Sequence, residues 1–576
     1  MNRLKKLSTY LSVGILLSLS SCKDFLIETP YDFVSPENIQ NSPSGVKQLI
    51  TGMYGTFFNA QMFRNESWIY LTCSDNDWTN GLDWVMGTYG VGNFAGGWIY
   101  NNPGNDPYYV FYRMIRSANT VLSVLPGVEF PREEEALVTQ FEGEALTMRA
   151  LAYFYLVQMY GPVPLHLRVD DPANKVRSPI TDVYAQIIQD LNSAEQKLFL
   201  KSKTPNGIKR GHFTKGAAQL LLAKVYATMA SGALENVDIT VPLAIERTTQ
   251  GEIVRTEKTF TKNKVAGYQF EPLVAYDSVR AVVKRLIDSR EYEIERFAST
   301  WNPANFGGTD FVFALETDSA TQVAFTPFNR FFTPPGLKGQ GWLHYTKDLY
   351  YLYDSKDERG IYGIAKEWKS NNKMPNGVWK RQFFPAEDSL EVFEKYGRGN
   401  VLTDTNSNSC YIMKWYVGNA ANPRVLLQEG EAENIVTTPT QNFPLLRFAE
   451  AYLLLAEAEN ELNGGSDAAI QSLNTIRSYR FTNGYEELGP MNQQQLRSFI
   501  LDERNREFIG EGYRRFDLLR WGIYLQVMNG VELRRPNLDN DNGIISKRRE
   551  QKHLLYPVPT IEIDGNTLFG PNNLGW

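Results

Sequence analysis

The chain is poor in cysteine and histidine, the residues that build disulfide frameworks and most zinc sites. It has three cysteines in 576 residues, and Cys73 and Cys410 are the two beyond the N-terminal segment. So few cysteines exclude a disulfide-stapled fold. One long-range disulfide is an alternative, but isolated cysteines are more often small buried apolar side chains. The four histidines include no HExxH spacing, so the sequence predicts no zinc site.

Charge of one sign and long apolar runs are also scarce. The formal net charge is −6 and there is no long Lys/Arg run, which argues against a nucleic-acid partner. Beyond the N-terminal segment no apolar stretch approaches the roughly twenty residues of a membrane span. A composition of 43% apolar and 22% charged residues is typical of a folded globular protein.

The N-terminus has the pattern of a bacterial lipoprotein signal. Basic residues at 3, 5 and 6 precede an apolar stretch over 11–19, and small residues come directly before Cys22. We therefore expect residues 1–21 to be removed and Cys22 to carry a lipid that anchors the protein to a membrane. A cleaved signal with an incidental cysteine is the alternative. Lys23 and Asp24 resemble the acidic export tag of surface lipoproteins, which favours a position facing outside.

Apolar residues recur at helical spacing in several segments. They predict helices over 142–160, 181–198, 214–231, 445–463 and 467–479. Gly464 and Gly465 separate the last two, which predicts a helical hairpin. Small residues at close spacing permit the close helix approach of tetratricopeptide hairpins, although the strict repeat consensus is absent. Irregular stretches over 61–106 and 302–439 interrupt the helices, and charged alternation predicts a β-hairpin over 252–270.

Segments along the whole chain resemble, in order, the signatures of the SusD/RagB family of outer-membrane nutrient-binding lipoproteins. The clearest are the helix followed by YGPVPL, the GHFTKGAAQLLLAKVY segment and ERNREFIGEGYRRFDLLRW. His212 stands where the family usually has arginine, and the chain ends in PNNLGW where QNPGY is usual. The matching segments are 22–30, 143–165, 211–226, 446–459, 473–477, 503–521 and 555–576.

The resemblance implies a mainly α fold of the SusD type, with degenerate tetratricopeptide-repeat hairpins, long irregular loops and a few short β-strands. It also implies an N-terminal region over 22–235 and a C-terminal region over 236–576, packed as one compact unit. The expected function is capture of an oligosaccharide or polysaccharide at the outer membrane and delivery to a SusC-like TonB-dependent transporter, without catalysis. A peptide-capturing RagB-like lipoprotein is the main alternative. A glycan-degrading surface enzyme and a tetratricopeptide assembly scaffold are the others.

A sugar is held reversibly in water by flat aromatic rings beside planar hydrogen-bonding groups. Aromatic residues make up 13% of this chain, which is the feature that a binding function would explain. The stretch 75–84 combines both kinds of group. Its candidate ligand-binding residues are Asp77, Trp78, Asp83 and Trp84.

The resemblance supports Trp84 and adds Trp342. It matches Trp84 and Trp342 to family positions that contact glycan. A third family aromatic falls loosely near Phe328, Arg330 and Phe331, where phenylalanine replaces the usual tyrosine. Plain core packing is the alternative for each of these aromatic residues.

Oxygen-bearing side chains cluster over 75–80 and again over 539–543, a composition that also suits calcium. Neither stretch fits the EF-hand pattern, and turn chemistry explains both equally well. The sequence therefore predicts no metal site and no cofactor, with calcium kept as an alternative.

The charged residues of 503–521 carry both signs on neighbouring helical turns. This pattern predicts ion pairs at i,i+3 and i,i+4 that lock helices together. A catalytic carboxylate pair is the alternative, and the sequence predicts no catalytic residue.

Overall fold

Helices form most of the part of the chain that the structure describes. In this computed structural model the described residues are 42–576 apart from 60–67, 69–71, 76, 80–88, 91, 97–98, 249, 303–304, 306–307, 317–331, 333–340, 342, 366, 374, 378, 385–393, 395–396, 398–400, 402–408, 415–441, 483–484, 535–538, 541–542 and 545–546. Cys22 and the expected signal segment lie outside the described residues.

The long helices of the N-terminal half pack on one another in sequence order. Among the described residues they are α1 Pro43–Asn59, α2 Pro107–Val124, α3 Glu135–Tyr160, α4 Ile180–Lys197, α5 Lys215–Ala233 and α6 Pro272–Asp288. Helix α3 packs between α2 and α4, and α5 packs on α6. Single-turn 3₁₀ helices occur at Leu125–Gly127, Arg132–Glu134, Lys201–Lys203 and Gln551–Leu554.

The C-terminal half begins with short helices and continues with longer ones. The short helices are α7 Phe297–Thr300, α8 Lys347–Tyr351 and α9 Glu358–Tyr362. The helices after them are α10 Phe448–Asn463, α11 Asp467–Arg480, α12 Gln493–Phe508, α13 Arg514–Arg520, α14 Tyr524–Arg534 and α15 Thr560–Gly565. Helix α10 packs on both α11 and α6, and thereby connects the two halves.

The described strands form small antiparallel sheets. Their bounds are β1 Asp77–Thr79, β2 Val237–Arg247, β3 Ile253–Lys262, β4 Phe311–Leu315, β5 Leu343–Thr346, β6 Glu367–Lys373, β7 Trp379–Phe383, β8 Ser409–Cys410, β9 Phe443–Arg447, β10 Asp539–Asn540 and β11 Gly543–Ile544. One sheet has three strands in the order β1-β5-β8. The other strands pair as β2–β3, β4–β9, β6–β7 and β10–β11.

The predicted mainly α class and the predicted helical hairpin are confirmed. Helix α10 ends where Gly464 adopts a left-handed φ of 66°. Helix α11 then starts behind Ser466, whose hydroxyl accepts a hydrogen bond from the Ala469 N–H at 3.3 Å. The tetratricopeptide character of these hairpins stays a prediction.

The helix predicted over 445–463 is wrong at its start. All five residues of β9 are buried, and β9 pairs with β4. The helix begins only at Phe448. Leu445 and Leu446 suit a strand or a helix equally well, so pairing with a strand distant in sequence decides between them.

The β-hairpin predicted over 252–270 is wrong in its first strand. Strand β3 falls in that range, but it pairs with β2, which lies upstream. The ladder has a register shift between Pro242 and Ala244, where proline needs no ladder hydrogen bond. Proline inside an apolar run hides the strand pattern of β2 from the sequence. Strand β3 is mostly exposed, as its charged residues indicate.

One continuous hydrophobic cluster extends from Val46 in α1 to Phe569 near the C-terminus. Cys73 and Cys410 are both buried and form no disulfide, so their interpretation as small buried side chains is confirmed. None of the described helices has the length and apolar character needed to cross a membrane. The boundary between the two predicted regions at 235/236 stays a prediction.

Candidate binding site

Two of the predicted ligand-binding residues lie on a described strand. Asp77 and Trp78 are the first two residues of β1. The remaining predicted residues lie outside the described part of the chain, and they are Asp83, Trp84, Phe328, Arg330, Phe331 and Trp342.

The pairing of β1 with β5 joins a strand from the stretch 75–84 to the strand that follows Trp342, and these are the parts of the chain where glycan contacts were predicted. The Cα atom of Trp78 lies opposite that of His344, and Asp77 lies opposite Tyr345. His344 follows Trp342 by two positions in the sequence. The backbone of residues 77–79 therefore runs beside the strand that directly follows Trp342.

The stretch with the third predicted aromatic reaches the same sheet. Phe332, the residue after Phe331, is fully buried. Its ring lies parallel to that of Tyr345, with the two centroids 6.4 Å apart. Tyr345 also pairs with Cys410 of β8. Stretches that are far apart in the sequence thus meet at the three-stranded sheet.

A bidentate ion pair anchors the chain directly before β1. Arg514 of α13 donates from Nε to Asp75 Oδ1 at 3.0 Å and from Nη2 to Oδ2 at 2.8 Å, and both side chains are buried. Burial by itself raises the pKa of Asp75, but the Arg514 guanidinium more than offsets this, so the pKa lies below its usual value. The carboxylate stays ionised at neutral pH and keeps its ion pair with Arg514 of α13.

Two further contacts hold the approach to β1. The buried amino group of Lys547 donates to the Ser74 carbonyl at 2.8 Å. The Trp68 indole packs edge-on against Tyr155 at 4.9 Å and stacks on Phe516 at 5.9 Å between ring centroids. These contacts therefore hold the residues that precede β1 in place.

Strand β5 is anchored at its other end. It runs directly into α8, where Asp348 Oδ1 accepts a hydrogen bond from the Ile245 N–H of β2 at 2.5 Å. The Tyr353 hydroxyl, shortly after α8, donates to the Arg506 carbonyl of α12 at 3.0 Å. The sequence offered no site prediction for these anchors, because each one acts through a partner distant in sequence. The only sequence feature that indicated Arg514 was its position in the charged stretch 503–521.

The charged residues of 503–521 do lock elements together, as predicted, but the predicted spacing is wrong for Arg504. This residue pairs with Asp517 of α13 and with Glu450 of α10, rather than with a neighbour three or four positions away. The stretch is not one helix, because Gly510 and Gly512 adopt φ values of 76° and 82° between α12 and α13. The predicted i,i+3 spacing is confirmed for Glu503 with Arg506 and for Asp517 with Arg520, each within one helix. The ion pairs of Arg504 join separate helices.

The carboxylates of this stretch do not form a catalytic pair. Glu507 and Glu511 both pair with Arg447, and all three side chains are buried. Burial raises the pKa of Glu507, but Arg480 and Arg447 outweigh burial and hold it well below its usual range. A carboxyl that stays ionised and is sealed from water does not serve as a general acid.

Among the described residues, no group of three or more His, Cys, Asp or Glu side chains could hold a metal ion. Asp75, one of the oxygen ligands considered for calcium, is engaged by Arg514. In the second acidic stretch, β10 pairs with β11, and residues 541 and 542 lie outside the described part of the chain. Calcium and turn chemistry both stay predictions for that stretch.

Two family models match the chain. One, described as "SusD family", matches residues 311–576. The other, described as "Starch-binding associating with outer membrane", matches residues 24–227. The chain belongs to the SusD/RagB family. The family recognition made from the ordered segments is thus confirmed.

Relatives match this SusD/RagB protein along nearly its whole length. A SusD-like protein of Formosa agariphila is 24% identical over 96% of both chains. The starch-binding protein SusD of Bacteroides thetaiotaomicron is 22% identical over 93% of this chain and 88% of its own. These relatives are named as SusD-like and starch-binding proteins and not as enzymes, in agreement with the predicted non-catalytic protein.

A solved structure confirms the predicted fold class. The crystal structure of a SusD homolog from Bacteroides thetaiotaomicron is similar with a TM-score of 0.70 at 18% sequence identity. The match covers 94% of this chain and 99% of the other. The fold of this SusD/RagB protein is therefore the SusD fold.

Proposed function

We propose that this SusD/RagB protein binds an oligosaccharide or polysaccharide at the bacterial outer membrane and delivers it to a SusC-like TonB-dependent transporter. The observation that carries the proposal is the β1–β5 register, in which Trp78 lies opposite His344. Family descriptions support it, since one matching model is described as starch-binding and associating with the outer membrane. A relative is likewise named a starch-binding protein.

Anchored strands suit a glycan site for an energetic reason. A sugar presents weakly apolar C–H faces ringed by hydroxyls, so each contact contributes little and ordering a loose loop would cancel it. Strand β1 is held through Asp75 and Ser74, and β5 is held through Asp348. Aromatic platforms next to such strands bind with little loss of conformational freedom.

Trp84 and Trp342 are the residues we expect to stack on the glycan. A glycan array first identifies a ligand, and calorimetry then compares the wild type with Trp84→Ala and Trp342→Ala. Truncating a central aromatic anchor typically costs about 2 kcal/mol, a loss of roughly thirtyfold in affinity. The melting temperature is expected to change by only a few degrees, because a residue that faces the ligand and not the core contributes little to folding.

Tyr479→Ala is the matched control, because Tyr479 is an exposed aromatic residue on α11. It is expected to leave glycan affinity unchanged. Intact binding together with a sharply lowered melting temperature in the tryptophan variants would make those residues part of the core. Binding of peptides with no glycan retained on the array would replace the glycan proposal by RagB-like peptide capture. Release of shortened glycan would favour a surface enzyme.

A further inference from the structure

The structure contains a cavity of about 440 Å³. It opens between the end of α3, the segment after β3, the α13–α14 turn, residues 551–555 and the C-terminus. We call it the C-terminal cavity. Among the described residues that line it, none belongs to β1, β5 or β8. Its volume is in the range of small-molecule sites.

The walls of the C-terminal cavity combine aliphatic side chains with several polar ones. Leu519, Leu525, Leu554 and Leu555 contribute to them. Leu574 stands at the same cavity and leaves 76% of its surface exposed to solvent. An aliphatic tail that covered these side chains would gain about 0.8 kcal/mol for each buried methylene.

The charges around the C-terminal cavity have one sign. Lys264, Arg520 and Lys552 line it, and no Asp or Glu is among the described lining residues. Arg520 is already engaged by Glu457 and Asp517. Lys552 lies 3.8 Å from Glu550, and its amino group lies over the Trp576 ring. Lys264 is therefore the cation offered to a ligand, and an anion complements it.

A buried lysine, Lys262, lies beside the cavity. Lys262, one residue before the lining segment, has its amino group against the carbonyls of Leu234 at 2.5 Å and Asn263 at 3.1 Å. The pKa of Lys262 is lowered to about 7, mainly by burial; Glu235 opposes this shift, and Arg520 and Lys264 contribute to it. An anion bound nearby would relieve this clustering of positive charge.

The rims of the C-terminal cavity are held in place before any ligand binds. The Trp576 indole N–H donates to the carbonyls of Lys552 at 2.9 Å and Leu555 at 3.1 Å. On the opposite rim, the Val265 N–H donates to the Gly232 carbonyl of α5 at 2.8 Å. A preformed cavity avoids the cost of ordering its walls.

We propose that the C-terminal cavity binds a free single-chain amphiphilic anion, a carboxylate on an unbranched aliphatic tail. The tail lies against the leucine wall, and the carboxylate lies at the lysine-bearing mouth. This site goes beyond the proposed glycan function and does not depend on it.

Calorimetry with octanoate, nonanoate and decanoate tests the tail. The mature chain with Cys22→Ala is used, since it requires no detergent that would compete for the cavity. Affinity is expected to rise by about fourfold with each added methylene, the value of one buried CH₂. Affinity that does not depend on chain length overturns the proposal.

Two substitutions test the head group and the mouth. Lys264→Gln is expected to weaken decanoate binding by up to about fivefold, the value of one exposed ion pair, and to leave decanol binding unchanged. Leu574→Asp is expected to weaken decanoate more strongly, because it places a negative charge at the mouth. The matched controls are Lys209→Gln and Leu568→Asp, at exposed positions outside this cavity, and neither is expected to change binding.

Further outcomes separate this proposal from its rivals. Equal effects of Lys264→Gln on decanoate and decanol overturn the anionic head. Flotation with phosphatidylglycerol vesicles in the absence of decanoate binding overturns the cavity in favour of a membrane-surface contact. Trp84→Ala and Trp342→Ala are expected to leave decanoate affinity unchanged. Failure of decanoate binding therefore leaves the glycan proposal standing, and the reverse also holds.

Discussion

Asp106 illustrates how burial controls a single carboxyl group in this protein. It caps α2 by accepting a hydrogen bond from the Tyr108 N–H at 3.0 Å, and it also accepts from the Asn101 N–H at 3.0 Å and the Tyr160 hydroxyl at 3.3 Å. Only 2% of its surface is exposed. Burial raises the pKa of Asp106 to about 7, although these hydrogen bonds act in the opposite direction.

Asp106→Asn removes this titration and predicts a pH dependence. The native pKa lies above the ordinary value of 3.8, so the folded protein holds its proton more tightly than the unfolded chain. The stability of the wild type relative to Asp106→Asn is therefore greatest below pH of about 4. It declines, by at most about 1.4 kcal/mol per pH unit, as pH rises to about 7. Denaturant unfolding of both proteins across this range measures the decline, and a constant difference would contradict it.

At the scale of elements, buried ion pairs join parts of the chain that periodicity alone leaves separate. Arg447 lies at the junction of β9 and α10 and is fully buried. It pairs with Asp310 at 2.8 Å, with Glu507 at 2.9 Å and with Glu511 at 2.7 Å. One guanidinium thus connects the residue before β4, the end of α12 and the α12–α13 turn.

Arg447→Met is expected to destabilise the protein by about 3–5 kcal/mol, because it leaves buried carboxylates without their counter-ion. Denaturant unfolding measures the loss. Arg168→Met is the matched control, since Arg168 pairs with Asp170 on the surface, where both side chains are more than two-thirds exposed. The control is expected to unfold like the wild type. Equal stability of all three proteins would mean that the buried network does not hold these elements together.

At the scale of the whole molecule, we expect attachment to the membrane to depend on Cys22. Cys22→Ala is expected to move the mature protein from the membrane fraction to the soluble fraction, because lipid is the only anchor that the sequence predicts. Detergent extraction of the wild type is expected to recover a large β-barrel transporter with it. Cys73→Ala is the control and is expected to stay in the membrane fraction. Membrane retention of Cys22→Ala would exclude lipidation as the anchor, and repeated absence of a barrel would reject delivery.

The sequence predicted the helices well because their signal is local. Apolar residues at spacings of three and four record which face is buried, and the glycines after Asn463 mark where α10 stops. The same signal placed the start of α10 at 445, where β9 lies instead. A short apolar run has no periodicity that distinguishes a buried strand from a helix. Here the pairing of β9 with β4 makes these residues a strand.

The candidate site shows the same division. Composition alone singled out Asp77, Trp78 and the stretch 75–84, because aromatic and acidic residues concentrate there. The sequence contained no local signal for a three-residue strand, for its register opposite β5, or for the anchoring of Asp75 by Arg514. Such contacts depend on partners hundreds of positions away. Trp84 and Trp342 stay predictions.

By itself the sequence determined the family, the mainly α class and the helical hairpin after α10, and it predicts the lipid anchor. Each of these follows from a local sequence pattern, which is a motif, a hydrophobic periodicity or a signal segment. Tertiary structure decided where β9 begins, that β3 pairs with β2, which ion pairs form, and that β1 lies beside β5. Strand pairing and charge burial depend on two distant segments at once, and only folding brings those segments together.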